Sequence, residues 1–302
     1  GTGVCAGDYD NDGWLDIYVT NFRSNVLYRN NKDGTFTDVT KTANADCQEW
    51  STGCSFSDVN GDGYLDLYVA NYVNFSIEKH TPCRVNGVLA YCSPRVYDGL
   101  KDVFFRNNGD GTFTQNTQGS GFGYIASRGL GVIFADYDND GRVDIYITVN
   151  GQQVEDGKGR IIFDTNQGKG ILFHNETETE NSWLKVRLEG IESNRDGFGT
   201  IVTIQTNDKV QKQALSSGQG YFSSNARELY FGLNEAESID QIDVEWPSGT
   251  KQSFKNIPAR QTIYILEGES LYQNTLILNL SLIHISEPTR RYAISYAVFC
   301  LK

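Results

Sequence analysis

The chain has 302 residues, of which 39% are hydrophobic, and a net charge of -12, which is enough for about two domains with buried cores. The acidic balance disfavours a nucleic-acid partner, because the phosphate backbone calls for clustered Lys and Arg. No stretch approaches the roughly 20 consecutive apolar residues of a membrane-spanning helix.

The first organised element is a nine-residue segment, Asp8-Tyr-Asp10-Asn-Asp12-Gly13-Trp14-Leu-Asp16. It returns as Asp58-Val-Asn60-Gly-Asp62-Gly63-Tyr64-Leu-Asp66, and again as Asp136-Tyr-Asp138-Asn-Asp140-Gly141-Arg142-Val-Asp144. Oxygen-bearing side chains stand at positions one, three, five and nine, with glycine at six. Alternate positions of a tight loop can point at one centre, and the glycine allows the bend. Hard oxygen donors in this number suit Ca²⁺, which takes about 6–8 oxygens. Backbone carbonyls of Trp14, Tyr64 and Arg142 at position seven, with water, would complete each shell. Up to three calcium sites are expected, and Asn60 leaves the second one formal charge short and weaker. A polar hairpin turn uses the same residue types, but three copies with fixed spacing favour a metal.

An EF-hand is excluded, since that loop needs a Glu at position twelve and flanking helices. Position twelve here is Val19, Val69 or Ile147. The flanking runs alternate and are rich in β-branched and aromatic residues, so each unit reads as strand, loop, strand. Two further strands follow the first two loops, joined by the Asp-Gly turns Asp33-Gly34 and Asp110-Gly111. The third copy decays to Gly170-Ile-Leu-Phe-His-Asn. About four strands per unit is the content of one propeller blade.

The gap between the second and third loops is longer than the first gap. The excess falls on Ile77–Asp98, read as a blade insertion of functional weight. Cys83 and Cys92 bracket a Gly-containing loop there and are expected to pair. Cys47 with Cys54 is a second candidate pair, while Cys5 and Cys54 also suit buried free thiols. A disulfide and calcium loops of modest affinity both point to an oxidising, extracellular setting. Three blades are fewer than the four to eight that close a propeller. The chain has no Met and begins at Gly1 inside a repeat, so blades and a secretion signal are expected upstream.

These loops between strands resemble the FG-GAP/VCBS repeat of calcium-binding propellers, including the integrin α-subunit head. The Leu27-Tyr-Arg-Asn-Asn-Lys-Asp-Gly-Thr-Phe segment and the Cys-containing insertion are similar to the cartilage acidic protein family and its bacterial relatives. From Asn181 the text changes to Trp183-Leu-Lys-Val-Arg-Leu-Glu-Gly, Ser217-Gly-Gln-Gly-Tyr-Phe-Ser and Ile242-Asp-Val-Glu-Trp-Pro-Ser-Gly. This resembles the ASPIC/UnbV domain that follows the propeller in that family. Its alternation of Leu184, Val186 and Leu188 reads as a small all-β module. The resemblance implies an all-β chain: a partial propeller of about three blades over 1–178, then a small β-sandwich-like ASPIC/UnbV domain over 179–268. Residues 269–279 are left unassigned. Residues 280–302 are similar to a translated sequencing adapter and are excluded from fold reasoning.

No catalytic motif appears: no His-Glu-x-x-His, phosphate loop, nucleophile elbow or dinucleotide fingerprint. His80 reads as a surface residue and His174 as structural. Asn74, Asn175 and Asn279 match the glycosylation pattern. The expected function is a secreted or cell-surface calcium-binding interaction or adhesion protein. Its partner would be a protein or glycan ligand of the cell surface or matrix. The alternative is a calcium-dependent polysaccharide-active propeller enzyme, with its site in missing blades or in the insertion at 77–98.

Overall fold

The computed structural model describes residues 1–274 except 79, 81, 123–125, 151–152, 156–160, 164–169 and 208. The tail from Leu280 and the sequon at Asn279 lie outside the described residues. The architecture is all-β, with a short 3₁₀ turn at Pro94–Val96.

Each loop lies between the first two strands of an antiparallel meander. The first blade runs Gly3–Gly7, Asp16–Thr20, Val26–Asn30 and Phe36–Asp38 in sequence order. The second runs Ser51–Ser57, Asp66–Asn71, Val103–Asn107 and Phe113–Gln115. Among the described residues the third has three strands, Gly129–Ala135, Asp144–Val149 and Ile171–Phe173, in keeping with the decayed third copy. The innermost strands of the three blades lie side by side.

Period-two alternation explains the cores between blades. In Asp66–Asn71 every residue is buried. Leu67 and Val69 pack towards the first blade with Leu27, Phe105 and Phe113. Tyr68 and Ala70 pack towards the third with Val132, Ile145 and Ile147. One strand thus feeds two cores, each from alternate residues. The turns follow the same local chemistry in both hairpins. Thr35 N donates to Asp33 Oδ1 at 2.9 Å, and Thr112 N to Asp110 Oδ1 at 3.0 Å.

The C-terminal module is two four-stranded sheets, with Ser182–Glu189 in one and Ile201–Thr206 in the other. Their facing side chains, including Leu184, Val186, Ile204, Phe231, Ile242 and Val244, form one core, a sandwich arrangement. The segment around Gln219–Asn225 reaches the innermost blade strands. Gly220 N donates to Val4 O at 2.7 Å, and Asn225 Nδ2 to Ser55 Oγ at 3.0 Å.

Cys83 and Cys92 form a disulfide across nine residues. It staples the hairpin Cys83–Val85/Val88–Ala90, whose tip residues Asn86 and Gly87 both have positive φ, as a type I′ turn requires. The second candidate pair fails: Cys5, Cys47 and Cys54 are buried free thiols. Cys47 Sγ lies against Ser51 and Asn71, while Cys54 lies beside Cys5, whose thiol burial pushes well up.

Candidate metal centres

The three loops are built alike, by backbone N–H groups folded around carboxylates. The position-one carboxylate takes the N–H of the glycine at six. Gly13 donates to Asp8 Oδ2 at 2.9 Å, Gly63 to Asp58 Oδ2 at 2.7 Å and Gly141 to Asp136 Oδ2 at 2.9 Å. These glycines have φ of 87°, 86° and 91°, a region that residues with a Cβ avoid. Position four is also left-handed, at Asn11, Gly61 and Asn139, and Asn and Gly are the types that tolerate it.

The position-nine carboxylate closes each loop. Its Oδ2 accepts from the position-two N–H: Tyr9 at 3.3 Å, Val59 at 3.2 Å and Tyr137 at 3.1 Å. Its Oδ1 accepts from the backbone of an asparagine on the third strand or just beyond it. Asn30 donates to Asp16, Asn107 to Asp66 and Asn175 to Asp144, each at 2.8 Å. Two of these asparagines also tie neighbouring blades together. Asn107 Nδ2 donates to Leu65 O (2.9 Å) and to Tyr9 O of the preceding loop (2.8 Å). Asn175 Nδ2 does likewise with Val143 O (3.1 Å) and Val59 O (2.8 Å). Buried in this clamp, Asn175 is no glycan acceptor. Sequence reading missed the clamp, although an Asn at this place in all three copies was its visible signal.

The structure gathers positions one, three and nine. Carboxylate oxygens of Asp8, Asp10 and Asp16 lie within 4.8 Å of one another, as do those of Asp136, Asp138 and Asp144. Asp10 Oδ1 is buried with no hydrogen-bond partner, an orphaned anionic oxygen of the kind a cation satisfies. Position five is engaged within its own turn, and at the third loop Asp140 also lies within 4.8 Å of Asp138 and His174 in an exposed group. Asp12, Asp62 and Asp140 each accept the N–H of position seven through Oδ1, at 3.0, 2.9 and 2.8 Å. Asp12 further pairs with Lys32 at 3.2 Å, and Asp140 with Arg142. No carboxylate trio forms at the second loop among the described residues. There Asn60 Nδ2 donates to Asp62 Oδ2 at 2.9 Å. His174, at the place of Arg29 and Arg106 in the other blades, meets Asp138 at 3.0 Å. His80 contacts the Tyr97 hydroxyl at 2.8 Å.

Burial dominates the electrostatics. It pushes the carboxyls of Asp8, Asp16 and Asp58 up to about 7, with neighbouring carboxylates adding to the effect. Burial also raises Asp10 and Asp144. A carboxyl raised in this way favours the fold at low pH, below its unfolded value. That contribution is lost as pH rises through about 7 and the group must ionise while buried. At neutral pH the loops therefore hold charge at a cost that a divalent cation would remove.

The C-terminal module sits on these loops. Asn181 Nδ2 donates to Asn60 O at 3.0 Å, Asn234 N to Gly61 O at 2.9 Å, and the Tyr230 hydroxyl to Gly141 O. Lys185 Nζ donates to Asp136 Oδ2 at 2.8 Å.

Two family models match the chain. The FG-GAP-like repeat covers residues 8–69 and 95–147, passing over most of the insertion. The ASPIC and UnbV model covers residues 190–271, within the sandwich. No curated protein matches the chain. With its blades and sandwich, the chain is a β-propeller protein of FG-GAP-like repeats that carries an ASPIC and UnbV domain.

Proposed function

We propose that the chain is part of a secreted or cell-surface calcium-binding interaction protein in which calcium is structural. The observation that carries the metal is the buried, unpartnered Asp10 Oδ1 within the trio of Asp8, Asp10 and Asp16. Hard carboxylate oxygens from one tight loop are donors suited to Ca²⁺. When bound, the ion would cancel the repulsion among these groups and fix the turn between two strands. The disulfide Cys83–Cys92 supports an oxidising compartment. Among the described residues, no helix is long and apolar enough to cross a membrane.

The interaction role rests on the insertion. Val88, Leu89, Tyr91 and Val96 are each exposed by more than half on or beside the stapled hairpin. Exposed apolar side chains close together in sequence on one stapled element support a contact role for it. Half-buried aromatics at its base, Phe22, Trp50 and Phe75, lie with ring centroids 5.2–5.7 Å apart and suit a protein or glycan partner.

Calorimetric titration with calcium tests the metal reading. The chain should bind calcium, and Asp10→Ala should lose the tightest site. Asn60→Asp should tighten the second loop by about tenfold, the worth of roughly 1.4 kcal/mol. Binding unaffected by Asp10→Ala would remove the first loop from the account.

A further inference from the structure

The third loop differs from the other two in what already neutralises it. Lys185 projects from Ser182–Glu189 of the ASPIC and UnbV domain and is buried against the third loop. Its ammonium donates to Asp136 Oδ2 at 2.8 Å and to Asn139 Oδ1 at 3.3 Å. The Lys185 and Asp136 side chains are only 2% and 0% exposed. The Arg142 guanidinium pairs with Asp140, and His174 Nε2 meets Asp138 at 3.0 Å. At the first loop the counterpart is Lys32 on Asp12, with the lysine 48% exposed. At the second, Lys209 reaches only the Asp62 carbonyl, at 3.4 Å, and lies over the Tyr64 ring.

We infer that Lys185 is a tethered counter-ion for the third loop, which lowers that loop's calcium affinity and sets docking of the C-terminal domain against calcium at this site. The inference rests on the calcium reading above. A divalent ion among Asp136, Asp138 and Asp144 would share the Asp136 carboxylate with the ammonium. The ammonium and the Asp136 side chain are shielded from water, so repulsion between the lysine and an ion on that carboxylate would be only partly screened. The ammonium also helps to orient Asp136, which would assist an ion. That effect is the smaller one, because Asp140 N and Gly141 N already hold both carboxylate oxygens at 3.1 and 2.9 Å. Linkage then requires reciprocity. Whatever factor the docked lysine takes from calcium affinity, calcium takes from docking.

The first loop is thus the metal-dependent one, and the third is a socket that the second domain fills with its own charge. This distinguishes sites whose sequences are nearly the same. Lys185→Met removes the charge and keeps the length. Lys185→Gln also keeps a donor for Asp136, should the first variant fold poorly. Circular dichroism in excess calcium checks the fold of both.

Calcium chloride is titrated calorimetrically into the whole chain, into each lysine variant, and into each variant combined with Asp138→Ala. Either lysine variant should gain at least about tenfold in affinity at one site, and Asp138→Ala should abolish the gain. An isotherm unchanged or weakened by both lysine variants overturns the inference. If binding is also lost in Asp10→Ala, that result leaves the calcium reading standing. A flat isotherm for every protein removes both.

Discussion

Asn107→Ala is expected to be among the most destabilising single changes in the propeller. Its amide donates to two backbone carbonyls, Tyr9 O and Leu65 O, at 2.8 and 2.9 Å, and its Oδ1 accepts from Gly109 N at 2.9 Å. The residue is 3% exposed, so water cannot replace the lost donors. Each buried polar group left unmet costs about 1–3 kcal/mol, giving roughly 2–5 kcal/mol for the truncation. Asn30→Ala is the internal control. Its Nδ2 makes one such bond, to Leu15 O at 3.1 Å, at a half-buried position, and about 1 kcal/mol is expected. Urea denaturation of both variants in excess calcium measures the difference. Equal losses would mean that the tie between blades carries no weight.

Gly232→Ala is the second large effect. An added Cβ would lie 1.8 Å from Asp58 Oδ2 and 2.6 Å from the Gly61 Cα. Asp58 is buried and held by three loop N–H groups, so neither side can yield cheaply. Overpacking of this kind costs about 1–3 kcal/mol, and here the strain falls on the contact between propeller and sandwich. The variant should lose domain docking while each part keeps its strands. Limited proteolysis reads this in the exposed stretch at 176–180, which should be cut in the variant and resist in the parent chain. A variant that resists as well as the parent would show that the contact is looser than its geometry.

Much of this was legible in the text of the chain. Three acidic loops, each between alternating runs, gave strand, loop and strand, and the decayed third copy matched a blade of three strands. The disulfide followed from a short Gly-containing loop between Cys83 and Cys92. What stayed hidden depends on contacts between units. Leu184, Val186 and Leu188 alternate into the sandwich core, so Lys185 between them reads as a solvated charge. The propeller covers that second face, and the lysine is buried. Position-five carboxylates read as inward ligands by spacing alone. A local N–H two residues on competes for them, as Asp side chains in turns commonly allow. Cys47 and Cys54 are close in sequence, yet Cys47 lies before the strand Ser51–Ser57 against a polar cluster, while Cys54 lies within it beside Cys5.

The most direct test of structural calcium is thermal unfolding of the whole chain with calcium or with chelator, at about pH 8 and about pH 5. At the higher pH, calcium at a hundredfold excess over Kd is worth about 2.7 kcal/mol. The chelated protein should therefore melt lower by on the order of 5 °C or more. At the lower pH the gap should shrink, because the raised carboxyls of Asp8, Asp16 and Asp58 take up protons in the metal-free fold. A melting temperature at about pH 8 that does not change with chelator would contradict the account.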